Sequence, residues 1–253
     1  HGSGYGWWLT FPFGKIEYAN TDGFISWGWQ HRHGYDARII PLPSGMLSKL
    51  RRQSQPTDEI VLVLNSFPAY VYRLHSVVFP GHLSHFVQSR LDFAAALDPG
   101  VRQRLVIKRP PVSYGADDWE PFSRLNPAPR TSDESSSVLR ERCSLMVLDH
   151  AGTALIEALS SKCPTIAFWH PTAFQFCKEA SPIFERLCDV GILFSDAKAA
   201  AERINGIAQD VTTWWQDVNR QEAVSEFNQK FGLRSDSWRS AWEVWLRGEL
   251  RRF

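Results

Sequence analysis

Cysteine is scarce and unpaired in this chain. Its four copies in 253 residues, Cys143, Cys163, Cys177 and Cys188, form no C-x-x-C, so neither a zinc ribbon nor a disulfide framework is written here. They read as free thiols in a reducing compartment, in a chain long enough to stand on its own core. An excess of one charge is missing too. Its 28 basic and 27 acidic residues leave +1, which makes no case for nucleic acid as a partner. No apolar run approaches the roughly 18 residues of a membrane-spanning helix. G-x-G-x-x-G is absent, which argues against NAD or FAD, and so is the G-x-S-x-G of a hydrolase nucleophile. The pairs His31/His33 and His82/His85 lie about 50 residues apart with no Cys or acidic partner at ligand spacing, so no metal is expected. The first residue is His1, not Met, with no basic-then-apolar leader, and the chain reads as a piece of a longer protein.

Tryptophan is the excess. Eleven copies cluster at Trp7/Trp8, Trp27/Trp29, Trp214/Trp215 and Trp238/Trp242/Trp245, where core and interface packing accounts for most of them.

Residues 1–59 read as irregular, with one strand at Gly23–Trp27. Regular structure starts at Ile60–Leu64, an apolar run fit for a strand buried on both faces. A helix over His82–Leu97 stops at Asp98-Pro99-Gly100. A strand at Arg104–Ile107 runs into Lys108-Arg109-Pro110-Pro111. Tyr114–Ser137 reads as a loop too long for a mere connector. Leu145–Phe168 is one strand–turn–helix–strand unit. After it come a helix over Gln175–Cys188, a strand at Gly191–Phe194 and a helix over Asp196–Gln209. Amphipathic helices over Trp214–Phe231 and Ser237–Leu250 close the chain. The alternation predicts an α/β fold with a doubly wound, mostly parallel, Rossmann-like sheet.

The chemistry concentrates at Asp149-His150-Ala151-Gly152-Thr153, the turn at the carboxyl end of a strand. There, free N–H groups and the positive helix end favour an anion. Gly152 admits a close backbone approach, Thr153 can cap the helix and offer a hydroxyl to phosphate, and Glu157, one turn on, can accept ribose hydroxyls. Lys108 and Arg109 follow another strand on the same sheet edge and can neutralise a diphosphate. In HGSGYG (His1–Gly6), Gly2, Gly4 and Gly6 can curl round an anion beside His1 and Tyr5. The last helix puts Trp238, Trp242, Trp245 and Leu246 on one face, either to dock on a neighbouring domain or to adsorb to an anionic membrane.

Four stretches, HGSGYG with the later DGFISWGW (Asp22–Trp29), LVIKRPPVSYG (Leu105–Gly115), LDHAGTALIEALSSKCPTIAF (Leu148–Phe168) and the tail from GILFSDAKAAAERINGIAQDVTTWW (Gly191–Trp215), carry a resemblance over nearly the whole chain. In their order and spacing the chain resembles the LIC12162 family of transferases, associated with O-antigen and other surface carbohydrates. More distantly it looks like the GT-B glycosyltransferases. It departs from the pattern at Pro110-Pro111, where an aromatic-Pro pair is expected, and the family's N-terminal half is not in this sequence.

The resemblance implies the C-terminal, donor-binding half of a GT-B-type enzyme. Residues 1–59 would end the preceding domain, 60–210 would bind donor, and 211–253 would pack back as helices. Such an enzyme, in the cytoplasm or at the inner face of the cytoplasmic membrane, moves a sugar from a nucleotide-sugar donor to a glycan or lipid-linked acceptor, without metal. His1 is the first candidate for base or transition-state stabiliser and His150 the second. The alternatives are a CDP-polyol-type phosphotransferase and a catalytically silent binding module.

Overall fold

A computed structural model describes residues 4–9, 12–31, 36–53, 55–65, 80–110, 112 and 120–251. Helix α1 (Pro12–Ala19), strands β1 (Phe24–Ser26) and β2 (Ile39–Pro41), and helix α2 (Gly45–Ser48) come first. The alternating part runs β3 (Ile60–Val63), α3 (Pro80–Ala96), α4 (Pro99–Arg102), β4 (Leu105–Lys108), α5 (Glu120–Ser123), β5 (Arg130–Ser132), α6 (Ser136–Arg142) and β6 (Leu145–Leu148). It continues with α7 (Thr153–Ser160), β7 (Thr165–Phe168), α8 (Ser181–Asp189), β8 (Leu193–Phe194) and α9 (Ala197–Ile207). Helices α10 (Val211–Trp215), α11 (Val218–Phe231) and α12 (Trp238–Leu250) close it.

Six strands pair in the order β5-β4-β3-β6-β7-β8, every neighbour parallel. Counted along the chain from β3, that is 3-2-1-4-5-6, the doubly wound order whose direction of winding reverses between the first and fourth strands. The sequence explains why both faces are covered. Every residue of β3, β4, β6 and β7 is buried, and a strand alternates its side chains between faces. Val61, Val63, Met146 and Leu148 join one cluster with residues of α7, α8 and α11. Ile60, Leu62, Leu145 and Val147 join the other, with Phe93 of α3 and Ile204 of α9.

Helix starts are set by short polar side chains. Ser135, Asp196, Asp210 and Asp217 each accept a hydrogen bond from an N–H of the first turn, worth about 1 kcal/mol apiece. Asp217 is also why Trp214–Phe231 is two helices and not one: α10 ends, and the cap starts α11.

Four other expectations change. The loop Tyr114–Ser137 holds α5, β5 and the start of α6; β5 is an exposed edge strand whose Arg-Thr-Ser sequence carries no apolar signal. The helix expected from Gln175 begins at Ser181, because the residues before it bond to the chain's start, with Leu9 N–H to Gln175 O and Cys177 N–H to Trp7 O. Residues 1–59 carry α1 and the parallel pair β1–β2. Their aromatic side chains enter the core beside α7, α8 and α11, with Trp7 packed on Phe184, Phe227 and Phe231. The face of α12 read as docking on a neighbouring domain or a membrane packs in part on the early segment: Trp242 Nε1–H donates to Pro43 O at 2.8 Å and Trp238 lies against Gly45, while Leu246 stays exposed. Among the described residues, no helix is long and apolar enough to cross a membrane.

Gly28 marks where this early segment meets α11. Its φ is +129°, and an added Cβ would stand 2.4 Å from the Gln229 carbonyl oxygen. Gly28→Ala is expected to cost about 1–3 kcal/mol in urea unfolding with the fold kept; a change within about 0.5 kcal/mol, the range of a surface substitution, would contradict this contact.

Candidate active site at the carboxyl edge of the sheet

At the reversal point the chain leaves β3 towards α3 on one face and leaves β6 towards α7 on the other. The first residue beyond β6 is Asp149, and its carboxylate is fully buried. An isolated carboxylate could not ionise there, but this one is surrounded by donors. Arg90 of α3, itself buried, gives its Nε–H to Oδ2 at 2.6 Å and an Nη2–H to the Asn65 carbonyl oxygen at 2.6 Å. The Asn65 N–H, at the end of β3, reaches Oδ1 at 3.1 Å. His150 Nδ1 lies 2.8 Å from the same oxygen. Burial alone would raise the carboxyl's pKa, but Arg90 and His150 outweigh it and hold the group below its ordinary value.

This carboxylate orients the imidazole. With Nδ1–H directed at Asp149, Nε2 is turned towards Gly152, where an added Cβ would stand 2.8 Å from Nε2 and 2.5 Å from Cδ2. Only glycine fits under that ring. Gly152 is also the residue that starts α7. It takes the cap position with extended φ −108°, ψ −174° and no side-chain cap. A helix N-terminus whose cap residue supplies no side-chain acceptor, with a carboxylate-anchored histidine beside it, can receive an anion and hand a proton to or from it.

The other residues singled out from the sequence divide. Thr153 does not cap α7; Gly152 holds that place and Thr153 is the first helical residue. Glu157 is half-buried, and its Oε2 accepts from the buried Arg140 of α6 at 2.6 Å. Lys108 closes β4 in register with Val63, which is in register with Leu148. It therefore shares the carboxyl edge with Asp149, about 10 Å away over two strand spacings. Lys108 is buried, its Nζ donates to the Arg109 carbonyl oxygen, and desolvation lowers its pKa. Arg109 turns the other way, its Nε–H on Asp133 at 3.0 Å.

His1 and Gly2 lie outside the described residues. Ser3 does too, and the described part of the motif, Gly4, Tyr5 and Gly6, is engaged in turning the chain and in packing. Gly4 turns the chain at φ 101°, Tyr5 is buried and stacks on Phe24 at 5.2 Å, and Gly6 has the Trp29 ring where a Cβ would be, at 2.8 Å.

Further along the same edge, past β7 and β8, is a cavity of about 410 Å³ lined, His85 apart, by residues that sequence reasoning did not single out. His85, Phe86 and Asp92 come from α3, Trp169 and His170 follow β7, and Ser195 follows β8. His170 is held by Thr172, Nδ1 to Oγ1 at 2.7 Å. The sequence did carry a signal for two of them: His170 and Ser195 stand just after the strands β7 and β8, as Asp149 stands after β6. The volume suits a nucleoside-sized ligand.

Removing one partner of a buried ion pair leaves the other uncompensated. Arg90→Met is therefore expected to cost about 3–5 kcal/mol in urea unfolding, and a loss under about 1 kcal/mol, the scale of an exposed pair, would show that Asp149 does not depend on it. The acid limb follows from the same carboxyl. Its folded pKa lies below the ordinary 3.8, so its contribution is complete above that value and is lost as pH falls through the folded pKa. Unfolding free energies measured from pH 5 downwards should fall below about pH 4 in the wild type, and this part of the slope should vanish in Asp149→Asn.

No curated protein matches the chain. Among solved structures, the glycosyltransferase SnogD from Streptomyces nogalater is similar over 84% of this chain and 50% of its own, at 16% identity and a TM-score of 0.45. The chain thus spans half the length of that protein. A family model, that of the LIC12162 family transferase, matches residues 1–246. On a match of that extent the chain belongs to the LIC12162 family of transferases.

Proposed function

We propose that this chain is the donor-binding part of a glycosyltransferase that takes a sugar from a nucleotide-activated donor. One observation carries the reading: at the reversal point of the sheet, a buried Arg90–Asp149 pair aims His150 across the N-terminus of α7, which Gly152 starts without a side-chain cap. The donor's phosphates lie at that helix end, where N–H groups, Thr153 and the imidazole meet the charge that grows on the leaving group. Lys108, on the same edge, adds a cation whose burial strengthens its field. Together they take the part a metal plays in other transferases. The nucleoside occupies the cavity between α3 and the ends of β7 and β8, against Trp169.

His150 is the proton-handling residue in this reading, because a carboxylate fixes its tautomer and would stabilise its cation. The acceptor is a bacterial surface glycan or its lipid-linked precursor, and it is bound outside the donor-binding part. Residues 1–253 alone accordingly transfer no sugar. Nothing is asked of α12 at a membrane; its Trp242 and Trp238 pack on residues 43 and 45.

Thermal shifts with a panel of nucleoside diphosphates test the donor site. A ligand at 100 times its dissociation constant adds about 2.7 kcal/mol, or about 5–10 °C at this chain length, and one base should lead the panel. Thr153→Val should abolish the shift with the apo melting temperature nearly unchanged. No shift with any nucleotide overturns the donor reading and favours a silent binding module. Survival of the full shift in both Thr153→Val and His150→Ala would move the phosphates away from α7.

A further inference from the structure

The stretch between β7 and α8 gathers three side chains that the sequence scatters. His31 lies two residues beyond the core residue Trp29, and Cys177 and Glu179 precede α8. Cys177 is buried and the other two are half-buried. His31 Nε2 stands 3.6 Å from Cys177 Sγ, and these atoms and a Glu179 carboxylate oxygen all lie within 4.8 Å of one another. A tetrahedral zinc ion, with Zn–S about 2.3 Å and Zn–N about 2.0–2.1 Å, sets its sulfur and nitrogen ligands about 3.5 Å apart. The imidazole and the thiol already have that spacing.

The frame that holds them is well bonded. Cys177 N–H donates to the Trp7 carbonyl oxygen at 2.8 Å, and the Cys177 carbonyl accepts from the N–H groups of Ala180 and Ser181, both at 3.0 Å. Lys230 Nζ of α11 ties down the Glu179 carbonyl at 2.7 Å. Imidazole, thiolate and carboxylate together suit a borderline cation of the zinc class and not magnesium or calcium, which take oxygen ligands.

We propose that His31, Cys177 and Glu179 bind a zinc-class divalent cation, as three protein ligands with a fourth position left for water. The ion cross-links the residue-31 segment to the stretch before α8. Through the Cys177–Trp7 bond, the same stretch holds the segment that carries the family's glycine motif. It shares no residue with the Asp149–His150 cluster, so it neither depends on the donor reading nor performs the transfer.

The test is metal analysis of the purified chain after chelation and reloading. One zinc per chain is expected, with a rise in melting temperature. Cobalt in its place should give a near-ultraviolet thiolate-to-metal charge-transfer band that Cys177→Ser removes. His31→Gln and Glu179→Gln should each weaken zinc binding by more than the roughly 10–100-fold typical of losing an outer-shell partner. They keep the experiment decisive if the buried Cys177→Ser fails to fold. A cobalt complex without a thiolate band, or zinc affinity unchanged in both glutamine variants, would overturn the site and leave an ordinary Cys–His hydrogen bond.

Discussion

The site rests on one buried ion pair. Asp149 lies where the sheet's winding reverses, and Arg90 reaches it from a helix on the opposite face from α7. Taking both charges out of water is costly, and their mutual attraction offsets that only because each is hydrogen-bonded again, to Asn65 and to His150. Uniqueness is what such a pair adds. The ends of β3 and β6, the face of α3 and the ring of His150 are all set by one carboxylate with no remaining freedom.

That constraint explains the glycine beside it. A helix this apolar could begin with Ser or Asp, as α6 and α9 do. At α7 the cap position lies under the His150 ring, and any Cβ would enter it. The best local cap is given up for room, which leaves the cap position without a side-chain acceptor. Local propensity yielding at the one place where chemistry gathers is what a functional site looks like in a sequence that is otherwise consistent.

Much of this was legible beforehand. The runs Ile60–Leu64 and Leu145–Leu148 announce buried parallel strands because they are apolar at every position. Asp149 and Gly152 were legible as a turn at a strand's end. Arg90 was not, since a lone arginine in a helix looks like any solvated charge; only the packing of α3 shows it buried. The pairing of Glu157 was hidden for the matching reason: its spacing from Thr153 can be read along the chain, but its partner Arg140 is on another helix. Strand β5 was invisible because an edge strand needs only backbone pairing with β4.

Periodicity and turn residues by themselves determined the alternating strands and helices, the parallel sheet and the turn that follows β6, because these depend on neighbours along the chain. The tertiary structure alone decided which charges are paired, that Gly6 makes room for the Trp29 ring, and that His31 meets Cys177 from 146 positions away. Those outcomes depend on groups that meet across the core, and no spacing along a chain records a distance in space.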